Sequence, residues 1–205
     1  MGRTSDADRK LMDAALDLMW EESYGAVTID DICKRAVVKT GSFYYFYKSK
    51  ADLAVAALEK LWNEDWKPHL DQQFSSAIEP LERFNGYLRG IYGNVAEQKK
   101  KYGKVLGCPM CSVGSEVTTH EVDVSAVVRD VLSRKRRYYE STIRDAVAQG
   151  VIEPCDPAQQ AVALFALIEG LVSQARIMND PEIIRPIPEM AFSLLRVKIA
   201  KPAFN

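Results

Sequence analysis

Histidine is nearly missing from this sequence, with two residues, His69 and His120, in 205. A metal site built from several histidines is thereby excluded, and no cofactor is expected. Cysteine is scarce as well: Cys33, Cys108, Cys111 and Cys155. In an intracellular chain of this size they read as thiols, not as a disulfide framework. No apolar run is read as long enough to span a membrane. The opening segment, Met1 to Lys10, lacks the apolar stretch of a signal peptide. The expected compartment is therefore the cytoplasm, with no membrane partner. Net charge is nearly absent too, at -1. Any binding to a polyanion must then come from a local basic surface. Strand-like alternation of Val, Ile and Thr is rare, and there is no repeat or low-complexity segment.

What is present is an ordinary globular composition, 47% hydrophobic and 27% charged. The length suits one large domain, or two small ones sharing a core. Helical periodicity dominates, so the expected fold class is all-α. Leu11, Ala14, Ala15, Leu18 and Met19 recur at helical spacing and predict a helix over 5–23, closed near Gly25. Thr28 is a good N-cap for a second helix, with Asp30 and Asp31 at the positive end of its dipole. Ile29, Ile32, Cys33 and Ala36 give that helix one apolar stripe. Val37 to Lys39 form a tight connection, and Thr40 opens a third short helix running to Tyr47. A fourth helix begins near Lys50 and runs to about residue 75, bent near Pro68. Further helices are predicted over 80–100, from Cys108, over 124–149, from Pro157 to Met178 behind the cap Asp156, and over 188–200.

Two short helices joined by three residues have the form of a helix-turn-helix, whose second helix enters the major groove of DNA. Thr40, Gly41 and Ser42 are small enough for close backbone approach, and their hydroxyls can meet bases or phosphates. Tyr44 and Tyr45 can donate to phosphate oxygens. Phe43 and Tyr47 share a face and are expected to pack inward. Between Lys34 and Lys50 there are five basic residues (Lys34, Arg35, Lys39, Lys48 and Lys50) and no acidic one. Lys50 lies at a helix N-terminus, itself a phosphate-binding position. The same pattern also suits an amphipathic helical hairpin with a solvated basic face.

The segment from Thr28 to Leu53, TIDDICKRAVVKTGSFYYFYKSKADL, resembles the DNA-binding signature of the TetR/AcrR family. Thr28 takes the capping position, Ile32 and Ala36 the core positions, Gly41, Ser42 and Tyr44 the recognition helix, and Ser49 and Lys50 the start of the fourth helix. The resemblance implies a sequence-specific transcriptional regulator, and a repressor more often than an activator. It divides the chain into a helix-turn-helix unit over 1–49 and a helical ligand-binding and dimerisation unit over 50–205. The partners it implies are double-stranded DNA carrying a near-palindromic operator, a second copy of the chain, and a small-molecule effector. The expected DNA-binding residues are Thr28, Lys39, Thr40, Gly41, Ser42, Tyr44, Tyr45 and Lys50. Two positions depart from the pattern. Val37 stands at the turn glycine, so it must take a negative φ or tolerate strain. Tyr45 replaces the usual His or Trp.

In the second half, Val162, Phe165, Ala166, Glu169, Gly170 and Ser173, with Met190, Ala191, Leu194, Leu195 and Val197, suit either an intramolecular core or the four-helix dimer interface that the family implies. Trp62, Trp66, Phe84, Tyr87, Tyr92, Tyr138 and Tyr139 suit either a ligand cavity or the core. The run from Leu106 to Glu116, LGCPMCSVGSE, resembles the helix start of a family branch that includes NemR-like sensors of electrophiles. A helix start favours the thiolate of a cysteine placed there, and Lys99, Lys100, Lys101 and Lys104 lie upstream. Cys108 is therefore the expected effector-sensing residue, with Cys111 second, against a reading of both as buried small hydrophobes. A zinc site needs more ligands than this run supplies. A thiol-dependent redox enzyme using Cys108 and Cys111 is the alternative function, weakened by the missing βαβ context. An adaptor using the helix-turn-helix for protein contact is a third.

Overall fold

The computed structural model describes residues 6–117 and 121–198. They form ten α-helices: α1 (Asp6–Glu21), α2 (Ile29–Ala36), α3 (Thr40–Phe46), α4 (Lys50–Lys60), α5 (Lys67–Gln73), α6 (Pro80–Tyr102), α7 (Pro109–Val117), α8 (Val122–Ala148), α9 (Pro157–Met178) and α10 (Ile187–Leu194). Among the described residues there is no strand, only an isolated antiparallel bridge between Ile152 and Val197. The all-α expectation holds.

Chain contacts define two compact units, one of residues 1–69 and 108–133, the other of 70–107 and 134–205. The expected functional boundary at Lys50 follows the sequence order of the helices expected to read DNA. The packing units group residues by contact instead, and place α7 with α1.

In the first unit α1 is the central packing element, touching α2, α3, α4 and α7. Its five predicted apolar positions are all buried. Phe43 of α3 is fully buried, which is worth about 1.5–3 kcal/mol for a side chain of this class. Gly114 lets α7 lie against α8: a Cβ at that position would stand 2.8 Å from Cγ1 of Val128. The helix that starts at Lys50 changes pitch before Pro68. Leu61–Trp66 form a π-helical segment in which Lys67 N–H donates to the Trp62 carbonyl. Proline at 68 cannot donate the next hydrogen bond, and the wider turn absorbs that gap. The interruption expected near Pro68 is thus a π segment on its N-terminal side.

In the second unit, Phe74, Phe84, Tyr87 and Tyr139 form one aromatic cluster with ring centroids 5.1–6.2 Å apart. All four are buried. The Tyr139 hydroxyl donates to that of Tyr87 at 2.7 Å. Two ion pairs also form here: Lys135 with Glu169 at 3.0 Å, largely buried on both sides, and a buried Arg83 with a partly solvent-exposed Asp145 at 2.6 Å. Helix α9 opens on the Asp156 cap, as expected, and closes at Asn179 in the left-handed region.

Two expectations need correction. The last helix ends at Leu194, not at Ala200, because Arg196 turns to a φ of 50° and Val197 then pairs with Ile152. Helix α9 is also long and apolar enough, by length and composition, to cross a membrane. A sequence-level search for uninterrupted apolar runs passes over it, because Glu169 and the glutamines break the run while leaving most of the helix apolar. Core helices share that length and composition.

A candidate DNA-binding surface and a cysteine-bearing helix

Helix α2 is started by a full capping box. The Thr28 hydroxyl accepts from Asp31 N–H at 3.2 Å, and the Asp31 carboxylate accepts from Thr28 N–H at 3.1 Å. Thr28 therefore orients the helix pair from its first residue. Hydrogen bonding from the Thr28 hydroxyl, then from its backbone N–H, holds the Asp31 carboxyl below its ordinary range.

The turn into α3 runs through Val37 at φ 55°, ψ 44°. Its N–H closes α2 on the carbonyls of Cys33 and Lys34. Of the two possibilities open for the turn position, the structure takes the strained one. A β-branched residue in the left-handed region is an outlier, and its side chain is 90% exposed.

Helix α3 is anchored by Phe43, whose ring lies 6.0 Å from that of Tyr47. The Tyr47 hydroxyl in turn donates to Asp8 of α1. With that face fixed inward, Lys39, Thr40, Gly41, Tyr44 and Tyr45 are exposed and Ser42 is half-buried. Tyr45 is 83% exposed, an unusual position for a large aromatic unless something covers it. A Cβ at Gly41 would meet nothing within 4 Å, so this face is open for close approach. The Thr40 hydroxyl lies 3.4 Å from Asp30, a long hydrogen bond that leaves it easily recruited. Of the basic residues, Arg35 pairs with Glu21 at 3.3 Å.

Lys50 is placed differently from what its position at a helix start suggests. Its ammonium donates to the carbonyls of Tyr24 at 2.8 Å and Val27 at 2.9 Å, over the Tyr24 ring at 4.4 Å. Burial pushes it below the ordinary lysine range, and Glu121 and Glu116 draw it back up. The Tyr24 hydroxyl is buried without a hydrogen-bond partner of normal geometry among the described residues; burial first, then the neighbouring Glu121 carboxylate as hydrogen-bond acceptor and as charge, pushes its phenol well above the ordinary tyrosine range and disfavours ionisation.

Cys108 precedes α7, and its carbonyl accepts from Ser112 N–H at 3.0 Å, which makes it the N-terminal cap residue. Cys111 lies in the first turn. Both are half-buried, unlike the buried Cys33 of α2, and all four cysteines are thiols. At the far end of α7 the Glu116 carboxylate accepts from Gly25 N–H at 3.0 Å. Sequence reasoning missed this contact. The partners are 91 residues apart, and neither belongs to a motif that announces the other.

Comparison with known proteins places this geometry. Residues 11–57 match the model of the bacterial regulatory proteins of the tetR family, and residues 80–187 match the tetracyclin repressor-like C-terminal domain. The chain is 29% identical to the transcriptional regulator AcuR of Cereibacter sphaeroides over 86% of this chain and 79% of that one. It is 26% identical to the transcriptional repressor NemR of Escherichia coli K12, over 97% and 96%. The crystal structure of a regulatory protein TetR from Rhodobacter sphaeroides superposes with a TM-score of 0.82 at 28% identity, covering 93% of this chain and 99% of that one. A thiol-dependent redox enzyme has no support among these relatives, and that alternative is set aside. The chain belongs to the TetR family of transcriptional regulators.

Proposed function

We propose that the chain is a homodimeric, cytoplasmic repressor without enzymatic activity, released from a near-palindromic operator by a small-molecule or thiol-reactive effector. The observation that carries the reading is α3. Its inner face is fixed by Phe43, and its outer face presents Thr40, Gly41, Tyr44 and Tyr45 with little to cover them. Residues 1–49 read DNA, and residues 50–205 bind effector and partner. Thr40, Gly41, Ser42 and Tyr45 lie nearest the bases, Tyr44 and Lys39 meet phosphates, and Thr28 orients the pair. Lys50 meets phosphate through its backbone N–H at the start of α4, because its ammonium is engaged elsewhere.

Dimerisation is supported by α9 and α10. Val162, Ala166, Gly170, Ser173 and Ile177 form an exposed stripe of small and apolar residues at helical spacing, Met190 of α10 is exposed too, and nothing stands within 4 Å of a Cβ at Gly170. Close helix approach is open along that line. The half-buried thiols of Cys108 and Cys111 support the effector reading.

The test offers the protein a pool of random duplex DNA and sequences the bound fraction. Enrichment of a near-palindrome with half-sites about one helical turn apart, or a multiple of it, is expected, with a dimer in sedimentation at micromolar concentration. No enriched sequence overturns the DNA reading, and a monomer overturns the dimer. Tyr45→Phe and Thr40→Ala should change the enriched sequence. Treatment with p-benzoquinone should release DNA from wild type and not from Cys108→Ser; release from both removes Cys108 from the sensing role, and release from neither leaves a non-covalent ligand as the effector.

A further inference from the structure

The turn between α1 and α2, residues 22–28, is gripped from two helices distant in sequence, both within the first compact unit. From α7, the Glu116 carboxylate accepts from Gly25 N–H at 3.0 Å. From α4, the Lys50 ammonium donates to the carbonyls of Tyr24 and Val27. Three backbone groups of one turn are thus held by side chains of opposite charge. We propose that Glu116 and Lys50 are positioning residues for DNA recognition, clamping the α1–α2 turn between the end of α7 and the start of α4, and that Glu116 is where a shift of α7 reaches the recognition helix.

The placement of the turn is what gives the clamp its reach. It ends at Thr28, the cap that starts α2, and α2 carries α3 through the short connection at Val37 to Lys39. Lys50 follows α3 by four residues, so the clamp closes the helix-turn-helix at both chain ends. An ammonium spent on two backbone carbonyls fixes the direction of the chain, because each N–H points along its own axis. Glu116 lies at the opposite end of α7 from Cys108 and Cys111. A nine-residue helix moves as a rod, so displacement at the thiol end is delivered at the Gly25 end. This last step rests on the thiol reading of α7 proposed above; the clamp itself does not.

The test compares wild type, Glu116→Ala, Glu116→Gln and Lys50→Met, using the full chain and a duplex selected by wild type. Glutamine keeps an oxygen for Gly25 N–H and alanine does not. Glu116→Ala should lose roughly three- to tenfold in affinity, the worth of one hydrogen bond, with hydrogen–deuterium exchange rising over residues 22–28. Glu116→Gln should restore both. Lys50→Met should weaken binding with the salt slope unchanged, whereas loss of a phosphate contact would reduce the slope by about one. Unaltered exchange over 22–28 in Glu116→Ala, or an affinity equal to wild type, overturns the clamp, as does a reduced slope in Lys50→Met. Should Lys50→Met fail to fold, the two Glu116 variants decide. For the coupling, p-benzoquinone should release wild type and leave the residual affinity of Glu116→Ala unchanged; an equal response in both overturns it. A wild type that ignores the quinone sinks the thiol reading and the coupling with it, and the exchange data still decide the clamp.

Discussion

Replacing Val37 with glycine should make this protein more stable. At φ 55° and ψ 44° the valine backbone occupies the left-handed region, which costs an L-residue roughly 1–2 kcal/mol. Glycine escapes that cost but loses more freedom on folding, about 0.5–1 kcal/mol. Ordinarily the lost side chain would also be charged against the substitution at about 25 cal/mol per Å² of buried apolar area. Here that term nearly vanishes, since Val37 is 90% exposed. The balance is a gain of about 0.5–1 kcal/mol, and at about 2–4 °C per kcal/mol for a chain of this size the melting midpoint should rise by roughly 1–4 °C. Thermal unfolding followed by circular dichroism, with all variants at one protein concentration, measures it; the matched concentration matters because subunit association shifts the midpoint. Val37→Ala is the control, since alanine keeps the left-handed penalty and loses only the branching. Val37→Asn should recover part of the gain, because asparagine tolerates this region. A midpoint that falls with glycine, or that rises equally with alanine, would refute the backbone argument.

Three further outcomes are expected. Thr28→Ala should cost about 1 kcal/mol, typical of a lost N-cap, and loosen α2; denaturant titration reads the first, and amide exchange over residues 29–36 the second. Lys135→Met should cost about 3–5 kcal/mol by stranding Glu169, and the double variant Lys135→Met/Glu169→Leu should recover most of it; a double variant no better than the single would show that the two side chains do not act as a pair. Burial first, then the hydrogen bond to Asp71 and its charge, lifts the Tyr138 phenol from the ordinary 10 to about 12. The folded state therefore favours the protonated phenol, and the stability it contributes is complete below pH 10 and lost as pH rises to about 12. Unfolding free energies measured across that window should fall less steeply in Tyr138→Phe than in wild type.

Several helix starts were legible because they carry their own chemistry. Thr28 before α2, Ser49 and Lys50 at the start of α4, and Asp156-Pro157 before α9 mark boundaries that local rules place within a residue or two. Interior facing was legible where periodicity is strong, as at Phe43 and along α1. What was not legible shares a different cause. The Lys50 ammonium donates to carbonyls of residues 24 and 27, which only the folded chain brings near. The Glu116 contact with Gly25 is equally non-local. The early end of α10 depends on pairing between Val197 and Ile152, 45 residues apart, and no local signal competes with the apolar pattern that would prolong the helix. Phe84, Tyr87 and Tyr139 could not be divided between cavity and core from sequence, because both call for buried aromatics; the ring contacts place them in one packed cluster.

The approach of α7 to α8 at Gly114 bears on how relatives of this chain can diverge. A methyl group at 114 would fall 2.8 Å from a Val128 methyl, and a β-branched side chain on a helix has almost no alternative rotamer into which to retreat. The two positions are therefore not free to drift independently. A lineage that acquires alanine or serine at 114 must have reduced residue 128 first, and one that enlarges 128 is held to glycine at 114. Across an alignment the pair should covary in size, small with large, although neither residue lies on the helix-turn-helix. Substitutions ordinarily regarded as conservative would then be tolerated or rejected according to the residue at the other position.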